Sequence, residues 1–230
     1  MKSMKTGCDL KTCLMCRLCV KDWIPAIDAH RKNYQFSKGE LLFSEGEAMN
    51  GIYFIYKGTV KVHKRWGEDK QLILRFAKDG EIVGHRGLGK DNYFPVSATS
   101  IETTTVCFIN NDFFTSSLHI NHDFLYQLML FYASELKDSE NNMRNLAHMQ
   151  VKTRIAQALL TLNEKFGASA DGDIDIMLSR QDLSSFVGTT YETLFRMLNE
   201  MTTENLIVQL DKKIRIINFD KLQSMINLSL

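Results

Sequence analysis

Several things are scarce in this sequence, and each scarcity removes a class of protein. No run of 18 apolar residues occurs anywhere in the 230, so no membrane-spanning helix and no membrane partner are expected. The first apolar residues are interrupted by Lys2, Lys5, Asp9 and Lys11, which leaves no secretory h-region and makes the cytoplasm the expected compartment. Charge of one sign is not in excess: 28 basic against 27 acidic residues give a net charge of +1. There is no P-loop, no Gly-rich dinucleotide loop and no nucleophile–base constellation, so an enzyme is not expected. His85, His119, His122 and His148 are scattered and read as surface or packing residues. Internal repeats and low-complexity segments are missing too. Only five cysteines are present, an odd count that argues against a disulfide framework.

What remains is an ordinary globular composition, 44% apolar and 24% charged with 13 Gly and 2 Pro. That is enough apolar surface for real cores, and the length suits two modest domains or one large one. Charge is unevenly spread. Residues 1–38 carry eight Lys/Arg against three Asp, whereas residues 151–230 carry nine against ten Asp/Glu. A nucleic-acid reading of the C-terminal part must therefore rest on pattern, because the basic balance of such domains is missing there.

Residues 1–22 read as an irregular, Cys-rich segment. From about Phe36, short β-rich runs alternate with Gly-centred turns: Glu40–Phe43, Gly51–Tyr56, Thr59–His63, Leu72–Phe76, Ile82–Val83, Pro95–Ser100 and Thr104–Ile109. Their spacing of about 8–12 residues predicts an antiparallel sandwich or barrel. Asn110-Asn111-Asp112 is suited to cap a short helix. His122 to Gln150 then runs without Gly or Pro, with Phe124, Leu128, Phe131, Leu136, Met143, Leu146 and Met149 at mixed three-, four- and seven-residue spacings. Such a helix is about 40 Å long, more than a small domain covers. Pairing with a second copy through Phe124, Leu128, Phe131, Leu136 and Met143 is the expectation, and packing on the sandwich the alternative. A helix over Lys152–Phe166, a short strand at Ile174–Leu178, two short helices and a β-hairpin turning near Asp211-Lys212-Lys213 follow, with one more helical turn from Asp220.

The stretch from Ser179 to Leu198 is the most informative. Ser179 with Asp182 three residues on makes a near-capping box. Leu183, Phe186 and Val187 form one apolar face, Gly188 permits a sharp turn, and Leu194, Leu198 and Met201 form the next. Strand, helix, turn, helix and hairpin in that order are those of a winged helix-turn-helix. An ordinary helical hairpin with a solvated outer face has the same periodicity.

The same stretch resembles the Crp/Fnr family of regulators at nearly every fixed position: Ser179-Arg180-Gln181-Asp182-Leu183, Val187-Gly188, Glu192-Thr193, Arg196 and Leu198. The resemblance extends over most of the chain. It implies an α+β architecture: a Cys-rich segment (1–22), a cyclic-nucleotide-binding-like β-sandwich or jelly-roll sensor domain (23–120), a long dimerisation helix (121–150) and a C-terminal winged helix-turn-helix (151–230). It implies a homodimer on a palindromic double-stranded DNA operator, with RNA polymerase as a further partner. By the resemblance, Arg196 matches the arginine that reads guanine and Glu192 the glutamate that accepts from the cytosine amino group. Phe195 stands where relatives carry a small or hydroxyl residue, to touch a thymine methyl or only to pack. Thr190 points away from the core, and Arg180 and Thr189 are candidate phosphate contacts.

For the signal, two stretches of the chain differ from cyclic-AMP-binding members. They read Gly84-His85-Arg86-Gly87-Leu88 and Tyr93-Phe94-Pro95-Val96, so a carboxylate is replaced by His85 and the phosphate-binding arginine is missing. Cyclic AMP is not expected. Cys8-x4-Cys13-x2-Cys16-x2-Cys19 has thiol spacing suited to zinc, an iron–sulfur cluster or a thiol–disulfide switch. Ile101–Cys107 resembles the strand of the oxygen-sensing Fnr branch that bears its one internal cluster ligand. That resemblance implies a [4Fe–4S] cluster on Cys107 with three N-terminal thiols, Cys13, Cys16 and Cys19 ahead of Cys8, and loss of DNA binding on exposure to oxygen or nitric oxide. Leu136 and Met143 would then lie in a dimer seam under the cluster's control. The Cys16–Cys19 gap and the segment after Cys19 are shorter than the branch pattern. Zinc, thiol redox, another small effector, or haem with His85 or Met129 as axial ligand remain the alternatives, as does no metal.

Overall fold

The computed structural model describes residues 1–4, 9–67 and 70–227 and divides into two compact units, Met1–Lys137 and Asp138–Leu230. The first is a β-sandwich. Strands β1 (Lys2–Met4), β2 (Lys32–Phe36), β4 (Gly51–Lys57), β7 (Ile82–Val83) and β9 (Thr104–Asn110) form one sheet in the order β1-β2-β9-β4-β7. The facing sheet takes β3 (Leu41–Phe43), β5 (Val60–Trp66), β6 (Lys70–Ala77) and β8 (Ser97–Ser100) in the order β3-β8-β5-β6. All pairings are antiparallel. Phe36, Ile52, Phe54, Ile82 and Val106 are all at most 1% exposed and fill the interior.

Strand β4 lies between β9 and β7, and its first five residues are all buried, which is why it reads as a continuous apolar run without alternation. Gly51 begins it because nothing larger fits: a Cβ there would sit 2.3 Å from the Ile109 carbonyl oxygen and 2.4 Å from the Phe108 ring. Helix α3 (Asn111–Ile120) follows β9 directly, capped by the Asn110 side chain, which accepts from the Phe113 N–H at 2.9 Å.

Residues 1–4 and 9–22 prove more ordered than expected. They include β1, which pairs with β2, and helix α1 (Leu14–Leu18), started by the Cys13 Sγ accepting from the Cys16 N–H at 3.3 Å. Helix α2 (Ile24–His30) leads into β2. The long helix α4 runs His122–His148, and the boundary between the two units falls inside it.

The second unit holds α5 (Val151–Phe166), α6 (Arg180–Val187), α7 (Tyr191–Thr203), the hairpin β10 (Ile207–Leu210) and β11 (Lys213–Ile216), and α8 (Phe219–Asn227). Ile155, Leu159, Leu183, Leu194, Leu198, Met201 and Leu222 make its core, each at most 2% exposed. The expected strand at Ile174–Leu178 does not form. Ile174 makes a single bridge to Ala168 and donates to the Ile214 carbonyl at 2.9 Å, and the rest of the run is irregular. The tail beyond Asn218 is a nine-residue helix and not one turn. No helix among the described residues is long and apolar enough to cross a membrane.

Candidate functional site

Helices α6 and α7 meet at Gly188, whose φ of 72° is the left-handed conformation that ends α6 and turns the chain. Ser179 starts α6 by accepting from the Asp182 N–H at 2.9 Å, and Thr190 starts α7 by accepting from the Thr193 N–H at 3.2 Å. Thr190 is thus a cap, a structural duty that the sequence reading did not assign. Along α7, Leu194, Leu198 and Met201 are completely buried, which turns Glu192, Phe195 and Arg196 outward. Among the described residues neither Glu192 nor Arg196 has an intramolecular side-chain partner, so both donor and acceptor groups are available to a ligand. Thr189 is half-buried, and its N–H closes α6 on the Ser184 carbonyl. Arg180 is more committed than a simple phosphate contact: it donates to the Asp211 carbonyl at 2.8 Å and so props the hairpin turn. That turn carries Lys212 and Lys213. Strand β11 is fixed from behind by the buried Asp173, which pairs with Arg215 at 3.0 Å and Lys213 at 3.6 Å.

The cysteines lie in the first unit. Cys13, Cys16, Cys19 and Cys107 are all buried, at 2%, 7%, 8% and 2% exposure, and all belong to one apolar cluster. Cys8 lies outside the described residues. Cys107 sits on β9 between Asn33 of β2 and Phe54 of β4. Asn33 is itself 6% exposed, and its Oδ1 has no hydrogen-bond partner. Burial, and then the neighbouring Cys13, push the Cys19 thiol up to about 12. A thiolate there requires a cation close by. Among the described residues, no three His, Cys, Asp or Glu side chains are gathered around one point as ligands of a single metal ion. The segment is tied down on both sides: Leu14 N–H donates to the Gly80 carbonyl at 3.2 Å, and Val20 N–H donates to Asn121 Oδ1 at 2.7 Å. Asn121 is 1% exposed and immediately precedes α4, and its own carbonyl accepts from Leu125 of that helix at 3.0 Å.

Where a cyclic nucleotide's phosphate would be sought, the chain supplies its own anion. Glu135 of α4 receives Arg75 Nε at 2.7 Å, His85 Nε2 at 2.8 Å and Arg86 Nε at 3.0 Å. Burial by itself would raise the Glu135 pKa; the hydrogen bond from His85 and the charges of Arg75, His85 and Arg86 outweigh it and hold the carboxyl down at about 2. Arg75 also pairs with Glu81 at 3.0 Å, and Tyr132 donates to the His85 carbonyl. His85, 1% exposed, has its pKa lowered, first by burial and then by Arg75 and Arg86, against the pull of Glu135. It is a packing residue, in edge contact with Phe131 and Tyr132. A phosphodiester arriving here would meet a carboxylate already holding these cations, so the residues present do not fit cyclic AMP. His85 Nε2 is held by Glu135, and its Nδ1 is buried without a hydrogen-bond partner.

Helix α4 corrects the expected dimer face. Phe124 and Leu128, at 0% and 3% exposure, are buried in the chain's own sandwich core, and Phe131 packs against it under the Arg75 guanidinium. Leu136 and Met143 are exposed at 62% and 68%, as the seam requires. Leu125, Met129 and Leu146 are exposed as well. With the half-buried Tyr132 these residues recur at 125, 129, 132, 136, 143 and 146, the alternating four- and three-residue steps of a coiled-coil seam with one position, Ser139, polar.

A β-sandwich, a long helix and a winged helix-turn-helix with free reading side chains define a DNA-binding transcription regulator. Family models agree: one described as a cyclic nucleotide-binding domain matches residues 34–121, and one described as a Crp-like helix-turn-helix domain matches 153–225. The chain belongs to the Crp/Fnr family of regulators. It is similar to the cAMP-activated global transcriptional regulator CRP of Escherichia coli, 29% identical over 181 residues, or 78% of this chain and 86% of that protein. The transcriptional activator protein Anr of Pseudomonas aeruginosa is 27% identical over 209 residues, 90% of this chain and 85% of that one. Among solved structures, FixK2 from Bradyrhizobium japonicum superposes with a TM-score of 0.75 at 22% identity, covering 85% of this chain and 96% of that one. A CooA mutant from Carboxydothermus hydrogenoformans gives a TM-score of 0.77 at 17% identity, covering 97% of each. These two likenesses speak for the fold.

Proposed function

We propose that the protein is a homodimeric regulator that reads a palindromic operator through α7 and senses oxygen or nitric oxide through a [4Fe–4S] cluster held by Cys13, Cys16, Cys19 and Cys107. The observation that carries the sensing half is the burial of these four thiols in one apolar cluster, three of them within seven residues and the fourth from a distant strand. The donor set suits the group. Four soft thiols are what an iron centre stabilises as thiolates, and the buried polar Asn33 beside Cys107 is of the kind that tunes ligating sulfur. When bound, such a centre supplies oxidant-labile iron–sulfur bonds. The chain's own residues do the rest. Leu14 and Val20 anchor the thiol segment by backbone hydrogen bonds, and Asn121 joins it to the start of α4. The exposed seam of α4 is the face that a second copy would cover, and two copies place two α7 helices on a two-fold symmetric site. CRP among the relatives is cAMP-activated, but that ligand is not carried over, because Glu135 occupies Arg75, His85 and Arg86. Relatives named as transcriptional activators support RNA polymerase as a partner.

Iron and acid-labile sulfide per chain after strictly anaerobic purification test the reading, with absorbance recorded before and after air. About four of each and a visible band bleached by air are expected. Cys107→Ser is expected to lose the iron, and Cys8→Ser to keep it. Neither iron nor sulfide after anaerobic reconstitution would overturn the sensing half and leave the DNA-binding regulator standing.

A further inference from the structure

Two aromatic side chains stand exposed on the helix that reads DNA. Tyr191 is 43% and Phe195 50% exposed, and their rings stack on each other at 6.4 Å with 12° between planes. Neither belongs to the core of the second unit, which α7 reaches through Leu194, Leu198 and Met201. Four residues apart, they share a face, and one residue further along on each turn lie Glu192 and Arg196. The outer surface of α7 is therefore a block of four: an apolar pair beside a charged pair. Large exposed aromatics on an otherwise polar helix mark a surface meant to be covered, and their mutual stacking fixes both rings before anything binds.

We propose that Tyr191 and Phe195 form an apolar reading surface that seats thymine 5-methyl groups in the major groove, so that T·A pairs are specified next to the G·C pair read by Glu192 and Arg196. The inference rests on α7 being the reading helix. The thymine methyl is the apolar feature of the major-groove edge, and a Phe ring is a recognised partner for it. The two aromatic residues are about 6 Å apart along the helix, close to two base-pair steps, so the methyls of thymines within a span of three base pairs come within reach of the stacked rings. Tyr191 thereby becomes a specificity residue that the helix-turn-helix pattern did not point to, and Phe195 acquires a partner.

The test uses the full chain purified anaerobically and duplexes selected by it from a random pool. In the selected half-site each dT is replaced in turn by dU, which removes one methyl and keeps the pairing. The wild-type chain is expected to bind about fourfold more weakly for each contacted methyl removed, at positions next to the G·C pair. Phe195→Ala, whose side chain is exposed and whose fold circular dichroism checks, is expected to lose part of the dT preference, and so is Tyr191→Ala; Tyr191→Phe is expected to keep it, and the double variant to bind the dT and dU duplexes equally. Unchanged binding at every dU position, or a dU penalty that survives whole in the double variant, overturns the proposal and leaves the pair to another macromolecule. Glu192→Ala and Arg196→Ala on the same duplexes separate the two failures. If they weaken binding while dU does nothing, only the methyl reading falls; if they too are without effect, α7 is not the reading helix.

Discussion

Arg196 and Glu192 are exposed, four residues apart and without side-chain partners of their own among the described residues. Truncating either to alanine is expected to weaken binding to the selected operator by about 1–3 kcal/mol and to leave binding to unrelated DNA nearly unchanged, because base contacts specify while phosphate contacts position. Gel-shift titrations on both duplexes at one salt concentration check this; equal losses on both would make them phosphate contacts. Glu135 works in the opposite way, spent wholly inside the molecule. Glu135→Gln leaves Arg75 and Arg86 without their counter-charge, a change expected to cost about 3 kcal/mol at pH 7. The pH dependence follows from two directions. The Glu135 carboxyl is held at about 2 against an ordinary 4.5, so its stabilisation is full above 4.5 and is lost as pH falls toward 2. His85 is pushed below its ordinary 6.5, so protonation favours the unfolded chain and stability begins to fall once pH drops below that value. Urea melts from pH 7 to 3 should show the wild type losing stability with acid and Glu135→Gln losing less of it below 4.5. Identical acid slopes would exclude the network as their source.

At the scale of elements, periodicity revealed most of the sandwich. Seven β-rich runs read from Gly spacing correspond to β3 through β9, because turns punctuate them and each buries apolar residues in the sandwich. Strand β2 escaped since Lys32-Asn33-Tyr34-Gln35-Phe36 alternates neither cleanly nor with many aliphatics, and its buried Asn33 lies next to Cys107. Ile174–Leu178 misled for the converse reason: an apolar run with one bridging hydrogen bond to β11 is not a strand. The long helix was legible as a helix but not as to its faces, since α4 carries two apolar stripes. Phe124, Leu128 and Phe131 serve the sandwich; Leu125, Met129, Leu136, Met143 and Leu146 are exposed. Spacing alone cannot tell which stripe meets the chain's own core. A charge in the outer stripe, Leu136→Glu or Met143→Glu, is expected to shift sedimentation from dimer to monomer without changing the melting of the sandwich. Phe124→Ala is expected to do the reverse, destabilising the fold by about 3–5 kcal/mol. A Leu136→Glu protein that remains dimeric at micromolar concentration would place the interface elsewhere.

Taken whole, the chain places the buried thiols and the helix-turn-helix far apart in sequence, with α4 between them. The helix-turn-helix was the more legible because it compresses caps, a left-handed glycine and four buried apolar positions (Leu183, Val187, Leu194 and Leu198) into twenty residues, from Ser179 to Leu198. The first unit depends on contacts between residues far apart in the chain, which spacing cannot display: Val20 with Asn121, Trp23 with Ser117, Glu135 with Arg75 and His85. Asn121 is where the first of these contacts reaches the start of α4. Its side chain accepts from Val20, next to Cys19, and donates to the Ser117 carbonyl at 2.9 Å, while its backbone carbonyl accepts from Leu125 in the first turn of α4. Asn121→Ala removes the first two links and leaves every thiol in place. The variant is expected to keep the wild-type iron content and, before air, wild-type operator affinity. After air its affinity should fall by a much smaller factor, because a change at Cys19 no longer reaches the start of α4 through this amide. Iron content and operator binding measured on the same samples, before and after air, decide it. A variant that loses its iron would make Asn121 a residue of the thiol site, and one that responds to air as fully as the wild type would route the signal past it.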